Sequence, residues 1–158
     1  AISLNRRQES MIKKNEKGFT LIELVVVIVV LGILAAFAVS RYTRMATDAR
    51  IAAVNGLAGG LRGAVAIVQG QYLINGTGTS PVTMLDTTTV AVSTGAAGGI
   101  PTGAAGGIDN AMRDYTGFTF TPGAGATAYF TPTNGGNANC RVAYVDATGI
   151  ATALTSTC

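Results

Sequence analysis

Few side chains in this 158-residue chain are equipped for chemistry, and their spacing sorts them. Glu23 is the only charged residue among the 21 from Phe19 to Val39. A lone ionised carboxylate at membrane depth costs on the order of a few kcal/mol, so it needs a counter-charge; otherwise the side chain lies at, or snorkels to, the headgroups. An acid in the first turn of a helix is also favoured by the helix dipole. Cys140 and Cys158 are the only thiols, and both fall late in the chain. Outside the cytoplasm an oxidising setting makes a disulfide the leading reading; the alternative is two free thiols. With 17 residues between them, the bridge would contribute roughly 3 kcal/mol in the chain-entropy model. Gly18, read alone, is a turn glycine.

Enzyme chemistry finds little support. The chain has no histidine, no paired-carboxylate cluster, no Cys-x-x-Cys and no phosphate loop. Asp109 and Asp114 lack the oxygen-rich neighbours of a calcium loop. No catalytic residue, no metal site and no cofactor are therefore expected. The net charge of +3 and a pI near 9.1 would ordinarily suggest nucleic acid. That charge is confined to residues 1–18, which hold five cations and two acids; from Phe19 onward six arginines balance six acids. Cations beside an apolar span fix its cytoplasmic side. No specific nucleic-acid partner is expected, because a neutral chain has little phosphate affinity.

The apolar run from Phe19 to Val39 has about the length a helix needs to cross a ~30 Å hydrocarbon core, and a helix satisfies its own backbone there. Ser40-Arg41-Tyr42-Thr43-Arg44 then suits the membrane–water boundary. Beyond it Ile51, Val54, Leu57 or Ala58, Leu61, Val65, Val68 and Tyr72 recur at helical spacing on one stripe. One continuous helix from about Phe19 to about Tyr72 follows, roughly 80 Å long and stopped by Gly70 and Asn75-Gly76-Thr77-Gly78. Gly56, Gly59, Gly60 and Gly63 each cost about 0.5–1 kcal/mol in a helix interior. They imply either close packing, the favoured reading, or a local break.

Residues 75–116 are rich in Gly, Ala, Thr and Ser, and Thr94–Ile100 is repeated as Thr102–Ile108. A surface loop with a short strand at Thr88–Val92 is expected, the repeat being a duplication that such a loop tolerates. Asn75-Gly76-Thr77 fits a glycosylation sequon but reads as a turn. Four β-rich segments follow (116–121, 126–131, 140–146 and 150–155), separated by turn clusters at the spacing of an antiparallel meander. Such a sheet needs one face covered, and the amphipathic half of the helix is the only large apolar stripe available. The fold class is α+β: a long N-terminal helix with its apolar half projecting and its amphipathic half packed on a small C-terminal antiparallel sheet.

Lys17-Gly18-Phe19-Thr20-Leu21-Ile22-Glu23, behind a short basic leader and ahead of the apolar run, resembles the processing site of a type IV pilin precursor of the type IVa kind. Asp48-Ala49-Arg50 and Asn55–Leu61 look most like the mannose-sensitive haemagglutinin-type branch. The resemblance implies cleavage after Gly18 by a prepilin peptidase and N-methylation of Phe19. It also implies that Glu23 pairs with the new α-amine of a neighbouring subunit, the assembly contact. Relatives carry a glycine and a proline around a stretch that loses helix in the filament. Gly32 matches the glycine, but Ser40 stands where the proline would be, so melting there is in doubt. The Cys140–Cys158 loop would be exposed, as it often is in the family. The implied domains are a leader at 1–18 (with 1–10 not natural and Met11 the start), a transmembrane and filament-core helix at 19–46, and a globular pilin head at 47–158. The implied function is a structural subunit, in the first instance the major pilin, of a type IV pilus used for adhesion, motility or surface attachment. It would be held in the bacterial inner membrane before assembly and in the extracellular filament afterwards, with other pilin subunits and the assembly machinery as partners. The alternatives are a pseudopilin of a type II secretion system or a minor, DNA-uptake pilin.

Overall fold

The computed structural model describes residues 18–76, 78–94, 98–123 and 125–158. Residues 1–17 of the expected leader, Thr77 of the sequon and residues 95–97 of the first repeat copy lie outside them. Helix α1 runs unbroken from Leu21 to Asn75, 55 residues. It ends where Gly76 takes a left-handed conformation, φ 94°, the usual glycine stop just past a helix. The chain divides into a unit ending at Arg41 and a second, Tyr42–Cys158.

In the first unit every described residue is exposed, and α1 there is apolar on all sides. It is the one described helix long and apolar enough to cross a membrane.

In the second unit α1 becomes one-sided. Val54, Leu57, Ala58, Leu61, Ala64, Val65, Val68 and Tyr72 are buried, close to the stripe the periodicity predicts. Four strands form an antiparallel sheet in chain order: β3 (Phe118–Thr121), β4 (Thr127–Pro132), β5 (Cys140–Val145) and β6 (Ile150–Thr155). Side chains alternate between the faces. Ala128 and Phe130 of β4, and Cys140, Val142 and Tyr144 of β5, point inward and are fully buried. They join Val54, Leu57, Ala58, Leu61 and Val65 of α1 in one core. Phe130 anchors it, with Phe120 at 4.9 Å and Tyr115 edge-on at 5.5 Å between ring centroids.

Between helix and sheet the structure departs from the surface loop expected over residues 75–116. Strands β1 (Val82–Thr83) and β2 (Thr89–Val90) pair as a small hairpin. Val82, Val90 and Val92 close a second core cluster with Val68 and Tyr72. A single turn of helix, α2, follows at Ile108–Ala111. The repeat is no tolerated insertion. Its equivalent isoleucines, Ile100 and Ile108, are 8% and 0% exposed and belong to the main core. Nor are the copies alike in shape: among the described residues the left-handed one is Gly99 in the first and Gly106 in the second, one place out of register. Gly99 is required twice over, since its φ is 83° and a Cβ there would meet the Tyr72 ring at 2.8 Å.

The helix glycines resolve differently from either reading. The helix is not broken at them, yet only Gly60 is packed, with the Met112 methyl 3.4 Å from where its Cβ would be. At Gly56, Gly59 and Gly63 the same position opens on empty space. Close packing within the chain therefore accounts for one of the four.

Candidate functional site

Glu23 occupies the third position of α1, and Thr20 stands immediately before the helix. The two side chains close on each other. The Thr20 amide and hydroxyl both donate to Glu23 Oε2 at 2.8 Å, and the Glu23 amide donates back to Thr20 Oγ1 at 3.3 Å. This is the capping box, in which a Thr and a Glu three residues later satisfy each other's free amides at a helix start. Glu23 is thus not an isolated charge: Thr20-Leu21-Ile22-Glu23 spells the motif, and Thr20 is its near partner. Gly18 and Phe19 precede the helix and are exposed. Gly32 is helical with nothing within 4 Å of its Cβ position. Ser40, in place of a proline, also stays in the helix, its hydroxyl donating to the Phe37 carbonyl at 3.1 Å.

The cysteines lie in the other unit and are bonded to each other. Cys140 opens β5 and is fully buried, while Cys158 follows β6. The bridged segment is thus mostly the β5–β6 hairpin, paired along six registered positions. Only the turn at 146–149 and residues 156–158 lie outside strands, so the expected loop is mostly hairpin; Ala147, Thr148, Ile150, Thr152, Ser156 and Thr157 of it are exposed. Two arginines of α1 bind this hairpin from the helix side. The Arg50 guanidinium donates to the Cys158 carbonyl, and Arg62 donates twice to the Ala151 carbonyl, at 3.0 and 2.7 Å. Arg141 of β5 lies over the Tyr129 ring of β4, 3.6 Å from its centroid.

A cleft of about 630 Å³ runs between α1, the β1–β2 turn and α2, lined among others by Ile67, Met84, Asp86, Asp109 and Arg113. Its acids serve the fold. Asp86 caps its own turn by accepting the Thr88 amide at 3.1 Å. That bond first, and Arg113 to a smaller degree, holds its carboxyl below the ordinary value of 3.8. Asp109 accepts the Gly106 amide at 3.1 Å.

An apolar helix with a capped acid in its first turn, becoming amphipathic over a disulfide-closed antiparallel meander, defines a pilin-like α+β protein. Comparison with known proteins agrees. Residues 13–39 match the family described as the prokaryotic N-terminal methylation motif. The chain is similar to fimbrial protein EcpC of Eikenella corrodens, 47% identical over 55 residues, which is 35% of this chain and 36% of that protein. It is also similar to the type IV narrow pilus major component PilA5 of Thermus thermophilus, 51% identical over 51 residues, 32% of this chain and 44% of that one. The matched stretches thus span less than half the length of either relative. No solved structure matches significantly. Motif and relatives together support a type IV pilin precursor.

Proposed function

We propose that this chain is the major structural subunit of a type IV pilus, built by helix packing into an extracellular filament. A prepilin peptidase cuts after Gly18 and methylates the new amine on Phe19. The apolar helix then holds the subunit in the inner membrane until the assembly machinery transfers it to the filament. Residues 19–46 serve as anchor and filament core, with Gly32 as the point of least helical propensity, and residues 47–158 form the outward part. The observation that carries this reading is Glu23, one acid in the first turn of a helix otherwise apolar and exposed on every side. Such a helix end is stable only when its charge meets an opposite one as lipid is exchanged for protein, and a neighbour's α-amine is that charge. The similarity to a protein described as a major pilus component favours the major role.

The test is Glu23→Val. It should leave membrane insertion and cleavage intact and strongly reduce sheared surface filament. Mass spectrometry of the native subunit should find methylated Phe19 at the N-terminus. An intact leader, or normal filament yield in the variant, would remove the proposal.

A further inference from the structure

We infer that Asn134 is a self-modification site, where the chain converts its own asparagine to aspartate and isoaspartate with water as the sole co-reactant. Asparagine followed by glycine occurs at Asn55-Gly56, Asn75-Gly76 and Asn134-Gly135. In such a pair the glycine amide nitrogen can attack the asparagine side-chain carbonyl carbon, Cγ, with no Cβ of its own in the way. The attack closes a cyclic imide and breaks the bond from Cγ to the side-chain nitrogen, which leaves as ammonia with the amide proton of the glycine. Water then opens the ring at either carbonyl, giving aspartate or isoaspartate, and nothing is oxidised or reduced. The fold separates the three pairs. Asn55 lies inside α1, whose backbone commits the Gly56 amide to the carbonyl four residues back. Asn75 ends α1, and its Oδ1 accepts the Gln71 side-chain amide at 3.1 Å. Asn134 instead sits exposed in the connection from β4 to β5, before a left-handed Gly135 with φ 74°. Among the described residues neither the Asn134 side chain nor the Gly135 amide has a hydrogen-bond partner. The place gives the reaction a consequence. A Cβ on Gly135 would stand 3.0 Å from Arg50 Cζ, and Arg50 donates to the Cys158 carbonyl. Asn137, three residues on, clasps Thr157 through bonds of 2.9 and 3.0 Å. The new carboxylate therefore arises one residue from the cation that ties the end of the bridged hairpin to α1. From Phe19 onward six arginines then face the original six acids plus this one.

The experiment ages the detergent-solubilised full chain in neutral buffer and follows it by tryptic peptide mapping. Cleavage after arginine puts the three pairs in different peptides, Ile51–Arg62, Gly63–Arg113 and Asp114–Arg141. Conversion replaces an NH by an oxygen in the peptide's mass, and fragmentation separates Asn134 from Asn137 and Asn139. Opening a helix costs free energy, each tenfold in rate being about 1.4 kcal/mol. Asn134 should therefore convert at least about tenfold faster than Asn55, and ahead of Asn75. Ageing the digest instead of the intact chain removes the helix, and there the three pairs should convert at similar rates. Isoelectric focusing of the aged chain should show an acidic shift of one charge, with Asn134→Asp as its reference position. Asn134→Gln keeps a side-chain amide but can close only a larger, slower ring, so it should abolish the shift. Comparable rates at Asn55 and Asn134 in the intact chain would overturn the proposal. So would an Asn134 that stays intact while the digest converts, or a shift that persists in Asn134→Gln. None of these readings requires assembly, so the outcome is independent of the function proposed above.

Discussion

Tyr144 shows how a single side chain ties the least regular part of this chain to its sheet. It is fully buried on the inner face of β5, and its hydroxyl donates to the Pro101 carbonyl at 2.6 Å. Pro101 lies between the two repeat copies, so the bond fixes the repeat against the sheet. Burial, and secondarily the nearby Asp146 carboxylate, push the phenol well above its ordinary 10.0. The sign follows from linkage. A group whose folded value is raised contributes stability that is complete below its unfolded value and lost as pH climbs past it. Urea unfolding of the detergent-solubilised chain should therefore show stability declining from about pH 10 upward. Tyr144→Phe should flatten that decline while costing about 1–3 kcal/mol at neutral pH, because the Pro101 carbonyl is left buried without a donor. An unchanged alkaline limb in that variant would remove Tyr144 as its source. Asp114 gives the opposite arm. Its carboxyl accepts the hydroxyl and amide of Thr116 and is held below 3.8, so its contribution is present above that value and fades as pH falls through the lower folded one. Side-chain NMR should find Asp114 titrating at lower pH than an ordinary aspartate.

Among the elements, α1 holds two kinds of glycine environment, and substitution should separate them from Gly99. Gly56→Ala and Gly63→Ala add a methyl into empty space on a continuous helix, so each should raise subunit stability by about 0.5–1 kcal/mol. Gly99→Ala combines a left-handed backbone with a 2.8 Å approach to the Tyr72 ring. It should cost more than about 2 kcal/mol, the backbone alone accounting for 1–2. Chemical denaturation of the three variants in detergent checks the contrast, and equal signs would refute it. These elements also mark what could be read from sequence and what could not. The helix, its buried stripe and all four C-terminal strands were legible because apolar side chains at intervals of 3.6 and 2 encode them directly. The Cys140–Cys158 pairing was legible from count and expected compartment. Over residues 75–116 the short strand expected at Thr88–Val92 is present as β2, but the buried isoleucines are not legible, because Ile100 and Ile108 are lone apolar residues in glycine-rich surroundings and no local period marks them as core. The Thr20–Glu23 contact is legible as a capping-box spacing, but an acid in an apolar run equally implies a distant counter-charge, and the sequence does not choose between them.

For the whole molecule, the charge distribution and the exposed helix together say what would hold the proposed filament together. From Phe19 onward acids and bases balance, so net attraction between copies of this part of the chain cannot come from overall charge. The large apolar side chains from Phe19 to Val39 are exposed along the helix. At about 1.5–3 kcal/mol for each one buried, covering them is worth tens of kcal/mol per subunit, far more than one ion pair. In the filament proposed above, Glu23 and its counter-charge would set register while apolar burial supplies cohesion, and copies presenting the same helix without closing the contact would give open-ended growth. Sheared filaments should therefore stay sedimentable in about 1 M NaCl, where charges are screened beyond about 3 Å. They should fall apart in a mild detergent that can coat the helix in place of a neighbour. Ultracentrifugation with quantification of the pellet measures both. Dissociation by salt with survival in detergent would mean that surface charges, and not the apolar helices, bind one subunit to the next.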